Sequence, residues 1–286
     1  MLTYPFRLGT TSYVTPGELT DNARYLAELL RTAAGALTPA LTPVDMQLVL
    51  FDMPDGPSNL PDAATVAELA AIGQAAGLSY TVHLLADLEA VPHGERDWPD
   101  SWRAAHDVIT RTRPLAPLAY VGHLDGRALR SRGYADLRTW AAGMADALRC
   151  VVFSQPAPVP LAIENLEGYP PDLVEWPVRQ ARTRRCVDVG HLWLDGHDPL
   201  PHLHAAHAPA VIHLHGVGHD PARARLVDHQ ALDVTPAAQL DPVCRWLVES
   251  HFTGVVTLEV FGPDDFARSL AAFRAAMQRV TAAPEC

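Results

Sequence analysis

The sequence predicts an α/β protein closed into a (β/α)8 TIM barrel, and three observations predict it. Eight short apolar stretches alternate with helical patterns, the connections are mostly short, and no low-complexity linker divides the chain. Alternation of this kind argues a parallel sheet covered by helices, and eight repeats argue closure. A length of 286 residues suits one barrel domain spanning 1–286, and a hydrophobic share of 48% supplies its core. An open doubly wound sheet is the competing architecture. A dinucleotide-binding version has no support, because no GxGxxG follows the first strand.

The first strand is read at Phe6 to Tyr13, FRLGTTSY. A helix follows at Leu19 to Thr32, where Leu19, Ala23, Leu26 and Leu30 recur at helical spacing. The second strand, Met46 to Met53, carries Asp52 near its end and is closed by the loop PDGPS. Its helix, Pro61 to Ala76, is stopped by Gly77. The third strand, Ser79 to Leu85, carries His83, and its helix from Pro99 to Thr112 stops at Pro114. The fourth, Leu118 to Asp125, carries His123 before a helix at Tyr134 to Leu148. The fifth, Leu161 to Leu166, carries Glu164 before a helix at Pro171 to Thr183.

The sixth strand (Cys186, Val187, Val189) runs through Asp188, with His191 three residues on. A short helix at Pro199 to Ala206 precedes the seventh strand, Ala210 to Leu214, which holds His213. Gly216 to Val234 reads as a long loop containing Asp228 and His229, and a helix follows at Pro236 to Glu249. The eighth strand, Gly254 to Val260, holds Glu259, and the last helix runs from Asp264 to Val280.

Composition excludes several function classes. The net charge of −11 and the lack of a Lys/Arg cluster argue against a nucleic-acid partner. No run of 18 apolar residues is present, and the opening MLTYPFRLGTTSY lacks a basic-then-apolar signal pattern, so no membrane association and a cytoplasmic location are expected. Cys150, Cys186, Cys244 and Cys286 show no CxxC spacing and read as reduced, mostly buried thiols.

Chemistry is carried by the strand ends. In an eight-stranded α/β barrel these converge on one mouth, where active sites are built. There the sequence sets His83, His123, Glu164, Asp188 with His191, His213, the loop pair Asp228 and His229, and Glu259. Any one of them has an ordinary explanation: a strand-end Asp is commonly a helix cap, and a lone His a satisfied polar residue. Six successive strands each delivering a ligand-type residue make coincidence a poor account. Imidazole with carboxylate suits zinc, manganese, iron or cobalt better than calcium, and a carboxylate such as Glu164 or Glu259 can bridge two cations. The fourteen histidines include His202, His204, His207, His215 and His219, read as surface residues or as supports behind the ligands. In the HLH triplet either His213 or His215 can be the ligand; the apolar AVI flank favours His213.

This strand-end set resembles the xylose-isomerase-like barrel superfamily, which includes sugar isomerases, sugar epimerases and the endonuclease IV branch. More narrowly, LGTTSY at 8–13, VLFDMPD at 49–55, IENLEG at 163–168, DVGHLWLDG at 188–196 and IHLHGV with a downstream DHQAL resemble the cobamide-remodelling phosphodiesterases. That resemblance implies hydrolysis of the nucleotide-loop phosphodiester of a cobalamin-type corrinoid, giving cobinamide phosphate and an α-riboside, for corrinoid salvage. It implies two or three divalent ions, zinc or manganese foremost. His83, His123 and Glu164 would hold one, and Glu164 would bridge to a second held by Asp188, His213 and Glu259. His191, Asp228 and His229 would hold a third, although Asp and His are adjacent here whereas the endonuclease pattern separates them by one residue. Catalysis would rest on Glu164, Glu259 and Asp188. Arg223 and Arg225 are candidate phosphate clamps, and Tyr13, Trp193 and Phe261 are candidates to pack on the corrin or the base. The expected partner is the small-molecule corrinoid, with the chain a monomer or small homo-oligomer.

Three other readings compete. A sugar or sugar-phosphate isomerase or epimerase needs only one ion at Glu164, Asp188, His213 and Glu259. An apurinic endonuclease keeps the ligands but lacks a basic surface. A corrinoid or metal carrier on the same scaffold would retain ligand without turnover.

Overall fold

The computed structural model describes residues 4–33, 42–53, 55–91, 99–153, 158–205, 207–220 and 225–282. The chain begins with β1 (Arg7–Thr11), α1 (Leu19–Ala33), β2 (Asp45–Val49), α2 (Ala63–Ala76) and β3 (Ser79–His83). It continues through α3 (Asp100–Thr112), β4 (Tyr120–Gly122), α4 (Arg127–Ser131), α5 (Leu137–Phe153), β5 (Leu161–Glu164) and α6 (Glu175–Ala181). Next come β6 (Arg184–Asp188), α7 (Val189–Leu194), α8 (Leu200–Leu203), β7 (Val211–Leu214), β8 (Gly216–Asp220) and β9 (Arg225–Gln230). It closes with α9 (Ala237–Glu249), β10 (Val255–Leu258) and α10 (Pro263–Ala282). The strands β1, β10, β7, β6, β5, β4, β3 and β2 form, in that spatial order, a closed and wholly parallel barrel. The expected (β/α)8 TIM barrel is the observed fold.

Local sequence accounts for the boundaries. Asp62 caps α2 by accepting from the Thr65 N–H at 2.8 Å, and Gly77 ends it at φ 72°, as its position implies. The helix expected at Tyr134 to Leu148 is the single helix α5, running from Leu137 to Phe153, and a short helix that was not expected, α4, precedes it; Gly133 (φ 61°) and Tyr134 (φ 62°) both take the left-handed conformation and separate the two. The segment read as a loop from Gly216 to Val234 contains an antiparallel hairpin, β8 with β9, and a 3-10 turn at Leu232–Val234. Its residues are too polar and too irregularly spaced to read as strands, because they lie over the barrel mouth rather than in the core.

Strand alternation sorts side chains into two layers. Leu8, Met46, Leu48, Val82, Ile163, Val187, Ile212 and Val256 face outward and are buried beneath helix residues such as Leu26, Leu69, Trp102, Leu148 and Phe273. Each such side chain contributes about 1.5–3 kcal/mol by leaving water. The lumen holds a smaller set, Ala119, Val121, Ala162, Cys186, Val211 and Val255. Across from it, Asp45 accepts from Ser79 Oγ at 2.6 Å and Thr81 Oγ1 at 2.9 Å, and Arg7 Nε donates to Ser79 Oγ at 2.9 Å. Burial pushes the Cys186 thiol up to about 12 and the Cys244 thiol upward as well; Cys150 is exposed, all three are free, and Cys286 lies outside the described residues. Among the described residues no helix is long and apolar enough to cross a membrane.

Candidate metal centre

The barrel strands end where the ligand-type residues stand. His83, Glu164 and Asp188 are the last residues of β3, β5 and β6; His123, His215 and Glu259 directly follow β4, β7 and β10; His213 lies within β7. Closure therefore brings together residues that lie far apart along the chain, from His83 to Glu259.

Glu164 sits at the middle. Its Oε2 lies 3.2 Å from His123 Nε2, 3.4 Å from His83 Nε2 and 3.2 Å from His213 Nδ1. His83 donates from Nδ1 to the Leu84 carbonyl at 3.0 Å, and His123 Nδ1 lies 3.2 Å from Asp87 Oδ1. Each ring thus has one nitrogen occupied and turns the other, Nε2, toward Glu164, the usual outer support of a metal-ligating imidazole. His83, His123 and Glu164 form one group of converging donor atoms.

Glu164, Asp188, His213 and Glu259 form a second group, every member buried. Asp188 is both cap and candidate ligand: Oδ1 accepts from the His191 N–H at 2.6 Å and starts α7, while Oδ2 has no hydrogen-bond partner. Gln47, on β2, orients the other half. A carboxylate only accepts, so the Gln47 amide NH2 donates to Glu259 Oε1 (3.0 Å), and its Oε1 must then accept from His213 Nε2 (2.8 Å). That leaves the lone pair of His213 on Nδ1, which faces Glu259 Oε2 at 2.9 Å and Asp188 Oδ2 at 3.8 Å without making a hydrogen bond.

The buried atoms Asp188 Oδ2, His213 Nδ1, His215 Nε2 and Glu259 Oε2 make no hydrogen bond, although they face one another or a neighbouring carboxylate, His215 Nε2 lying 3.3 Å from Asp188 Oδ1. Such atoms are costly in a native interior, and acceptors facing one another at this range are reconciled by a shared cation. The electrostatics agree. Burial raises the Glu164 carboxyl, but the His213 and His123 imidazoles outweigh it and hold it well below the ordinary carboxylate range. Burial likewise opposes and His213 again outweighs it at Glu259, which is also held below its ordinary value. For His123, burial lowers the imidazole, yet Glu164 and Asp87 carry it to about 10; for His215, Asp188 overcomes burial to reach about 9. Without an ion the centre balances its carboxylates by protonating imidazoles, so it is built around positive charge and its residues fit divalent cations.

His191 and His229 meet a different partner from the expected one. Their rings lie 5.8 Å apart, and His215, fully buried rather than at the surface, lies 5.5 Å from His191 and 4.3 Å from His229. These three histidines are a further group of converging donors, and Asp228 belongs to none among the described residues. HLH offered His213 or His215; the structure brings both into the centre, in different groups.

The other expected residues divide. Tyr13 and Phe261 pack edge to face at 6.0 Å, Phe261 lies 5.4 Å from the His229 ring, and Asn59 Nδ2 donates to the Tyr13 hydroxyl at 3.0 Å, so these two form an aromatic rim beside the histidines. Trp193 does not join them: it packs on the outer apolar layer and lines a groove with Leu200, Pro242 and Val243, because α7 turns it toward α9. Arg225 is exposed at the turn end of the hairpin, roughly 13 Å along the strand from His229, and Arg223 lies outside the described residues. Sequence reasoning missed Gln47, Asp87 and the ligand-like burial of His215. The signal for Gln47 was present, a polar residue inside the apolar run MQLVLF.

Gln47 has a measurable role. Gln47→Leu is expected to keep the barrel folded and weaken zinc binding about 10–100-fold, as loss of an orienting partner does. Competition against a chromophoric chelator measures this, and unchanged affinity would show that His213 and Glu259 are oriented without it.

No family model matches the chain, and no curated protein matches it significantly. Solved structures do. A D-tagatose 3-epimerase-like protein superposes with a TM-score of 0.66 at 14% identity, over 96% of this chain and 98% of that one. Endonuclease IV from Thermus thermophilus does so with 0.63 at 22% identity, over 96% and 99%. A xylose isomerase-like TIM barrel protein from Mycobacterium smegmatis, in complex with magnesium, gives 0.57 at 14% identity, over 98% and 99%. The chain has the xylose-isomerase-like barrel fold.

Proposed function

We propose that this chain is a metal-dependent phosphodiesterase whose substrate is the nucleotide-loop phosphodiester of a cobamide, cleaved to cobinamide phosphate and an α-riboside. The observation that carries the hydrolytic reading is the sharing of Glu164: one buried carboxylate belongs both to the His83–His123 group and to the Asp188–His213–Glu259 group. Adjacent ions joined by a bridging carboxylate suit phosphoester cleavage, whereas isomerisation at carbon needs one ion and leaves His83 and His123 without a role. When bound, such ions supply an acidified water and neutralise charge on the phosphate oxygens.

The chain's own residues do the rest. His83, His123 and Glu164 would hold one ion, and Glu164, Asp188, His213 and Glu259 another. Gln47 and Asp87 fix the ring orientations. Tyr13 and Phe261 offer an apolar edge on which a flat base can stack. The cobamide itself rests on the sequence phrases around these residues, LGTTSY, IENLEG and DVGHLWLDG. The net charge of −11 weighs against duplex DNA, although endonuclease IV shares the fold.

The second reading is a sugar epimerase. It is favoured by one specific observation: the Glu164–Asp188–His213–Glu259 group is complete without the others, and an epimerase-like protein superposes over nearly the whole chain.

The deciding experiment incubates the metal-supplemented protein with adenosylcobalamin under reducing conditions and identifies products by mass spectrometry. Cobinamide phosphate with free α-riboside is expected. Cobyric acid would mean amide hydrolysis, and intact cobamide alongside turnover of a ketose would establish the epimerase instead.

A further inference from the structure

We propose that Phe51 and Met53 extend the rim of Tyr13 and Phe261 into one apolar platform that holds the flat base of the substrate beside the metal centre, with Asn59 as the residue that positions it. The inference rests on the hydrolytic reading for the identity of that base and goes beyond it in assigning the residues that grip it.

The platform is carried by three strands that are neighbours in the barrel, β10, β1 and β2. Their mouth ends are tied to one another. The Gly262 N–H donates to the Tyr13 carbonyl at 2.7 Å, the Ser12 N–H to the Gln47 carbonyl at 2.9 Å, and the Val49 N–H to Ser12 Oγ at 3.1 Å. On β2, Leu48 belongs to the outer apolar layer, as does Leu50 just beyond the strand, while Gln47 faces the lumen. Carried past the strand end, the same alternation gives Phe51 the side of Gln47, which is the side of the mouth.

Asn59 joins the pieces. Its Oδ1 accepts from the Phe51 N–H at 2.7 Å, and its Nδ2 donates to the Val49 carbonyl and to the Tyr13 hydroxyl, each at 3.0 Å. Its own N–H donates to the Phe51 carbonyl at 3.1 Å, and the Met53 N–H donates to the Pro57 carbonyl at 3.2 Å. One side chain therefore ties the Tyr13 ring to the backbone that carries Phe51. Both amide protons of Asn59 are used in doing so, and the rim presents apolar faces to a ligand more than hydrogen-bonding groups.

These faces are held out to water: Met53 is 57% exposed, Phe261 42% and Phe51 36%. Large apolar side chains gathered on a pinned frame beside polar groups mark a binding surface. Position names the occupant. Phe261 stands two residues beyond Glu259, and its ring lies 5.4 Å from that of His229, so a group resting on the platform is next to the donor groups. A phosphodiester held by ions there sets its base one sugar away, within reach of the rim. A flat apolar heteroaromatic ring matches aromatic faces and a thioether, whereas a bare sugar needs the hydrogen-bonding groups that the rim lacks.

The test uses the whole metal-supplemented chain and equilibrium dialysis with the dimethylbenzimidazole α-riboside, with folding checked by circular dichroism. Phe51→Ala and, independently, Met53→Ala are expected to weaken riboside binding, Phe51→Ala by about 10-fold or more. Inorganic phosphate, which lacks a base, is expected to bind these variants and the wild type alike. Asn59→Ala is expected to cost about 10-fold alone but only about 3-fold in a Phe51→Ala background, because it acts through the platform; a merely structural role would add in full. Wild-type riboside affinity in both Phe51→Ala and Met53→Ala, an equal loss of phosphate binding, full additivity for Asn59→Ala, or a wild-type chain that binds no riboside overturns the platform, even where cobamides are cleaved. Riboside binding that follows the platform in a chain that leaves cobamides intact upholds the platform and overturns the phosphodiesterase reading instead.

Discussion

Glu164→Gln is expected to lower kcat/KM on the cleaved substrate by on the order of 10³-fold or more while leaving the barrel folded. The change is nearly isosteric, so the packing of β5 is preserved. It removes a charge that three imidazoles, His83, His123 and His213, approach within 3.4 Å. Because the carboxylate belongs to two donor groups joined side by side, one substitution weakens both. Glu259→Gln touches only the second group and is expected to cost less. Steady-state kinetics, metal content and far-ultraviolet circular dichroism read the three parts separately. Near-normal turnover with full metal content in Glu164→Gln would remove Glu164 from the centre of the chemistry.

The second large effect lies at the other end of the lumen and concerns stability. Burial raises the Asp45 carboxyl to about 6, against the partial relief given by Ser79, Thr81 and Arg7. The unfolded value is about 3.9. Since the native value is the higher one, the native state binds the extra proton between these limits. Stability from this group is therefore full below about pH 4 and is lost as the pH rises through about 6, by about 3 kcal/mol in all. Asp45→Asn keeps an acceptor for Thr81 and removes the titration. The difference in unfolding free energy between wild type and variant is expected to grow in the variant's favour from pH 4 to pH 7, measured by urea denaturation. A difference independent of pH would show that Asp45 ionises as easily in the barrel as in the unfolded chain. The comparison isolates Asp45 from the histidines and carboxylates of the mouth, which are common to both proteins.

Much of the centre was legible along the chain because strand structure is local. A residue's position in an apolar run decides which face it takes, and its place at the run's end decides that it reaches the mouth. That is why His83, His123, Glu164, Asp188, His213 and Glu259 were readable without any knowledge of their partners, and why eight such runs implied closure. Gln47 was overlooked for the converse reason. It lies inside its run, facing the lumen, and matters only because closure places β2 within reach of residues on β7 and β10.

The sequence by itself determined the barrel, the strand-end positions and the kinds of donor that collect there. It left His213 and His215 as alternatives, set Asp228 beside His229, and gave Trp193 no direction. Tertiary structure alone decided these. The hairpin of β8 and β9 folds back over the mouth, which buries His215, brings His229 against it and leaves Asp228 outside, while α7 turns Trp193 away. The physical reason is that a lone pair becomes a ligand through what faces it. Along the chain a histidine has only neighbours; in the closed barrel its ring faces carboxylates and other rings drawn from distant strands.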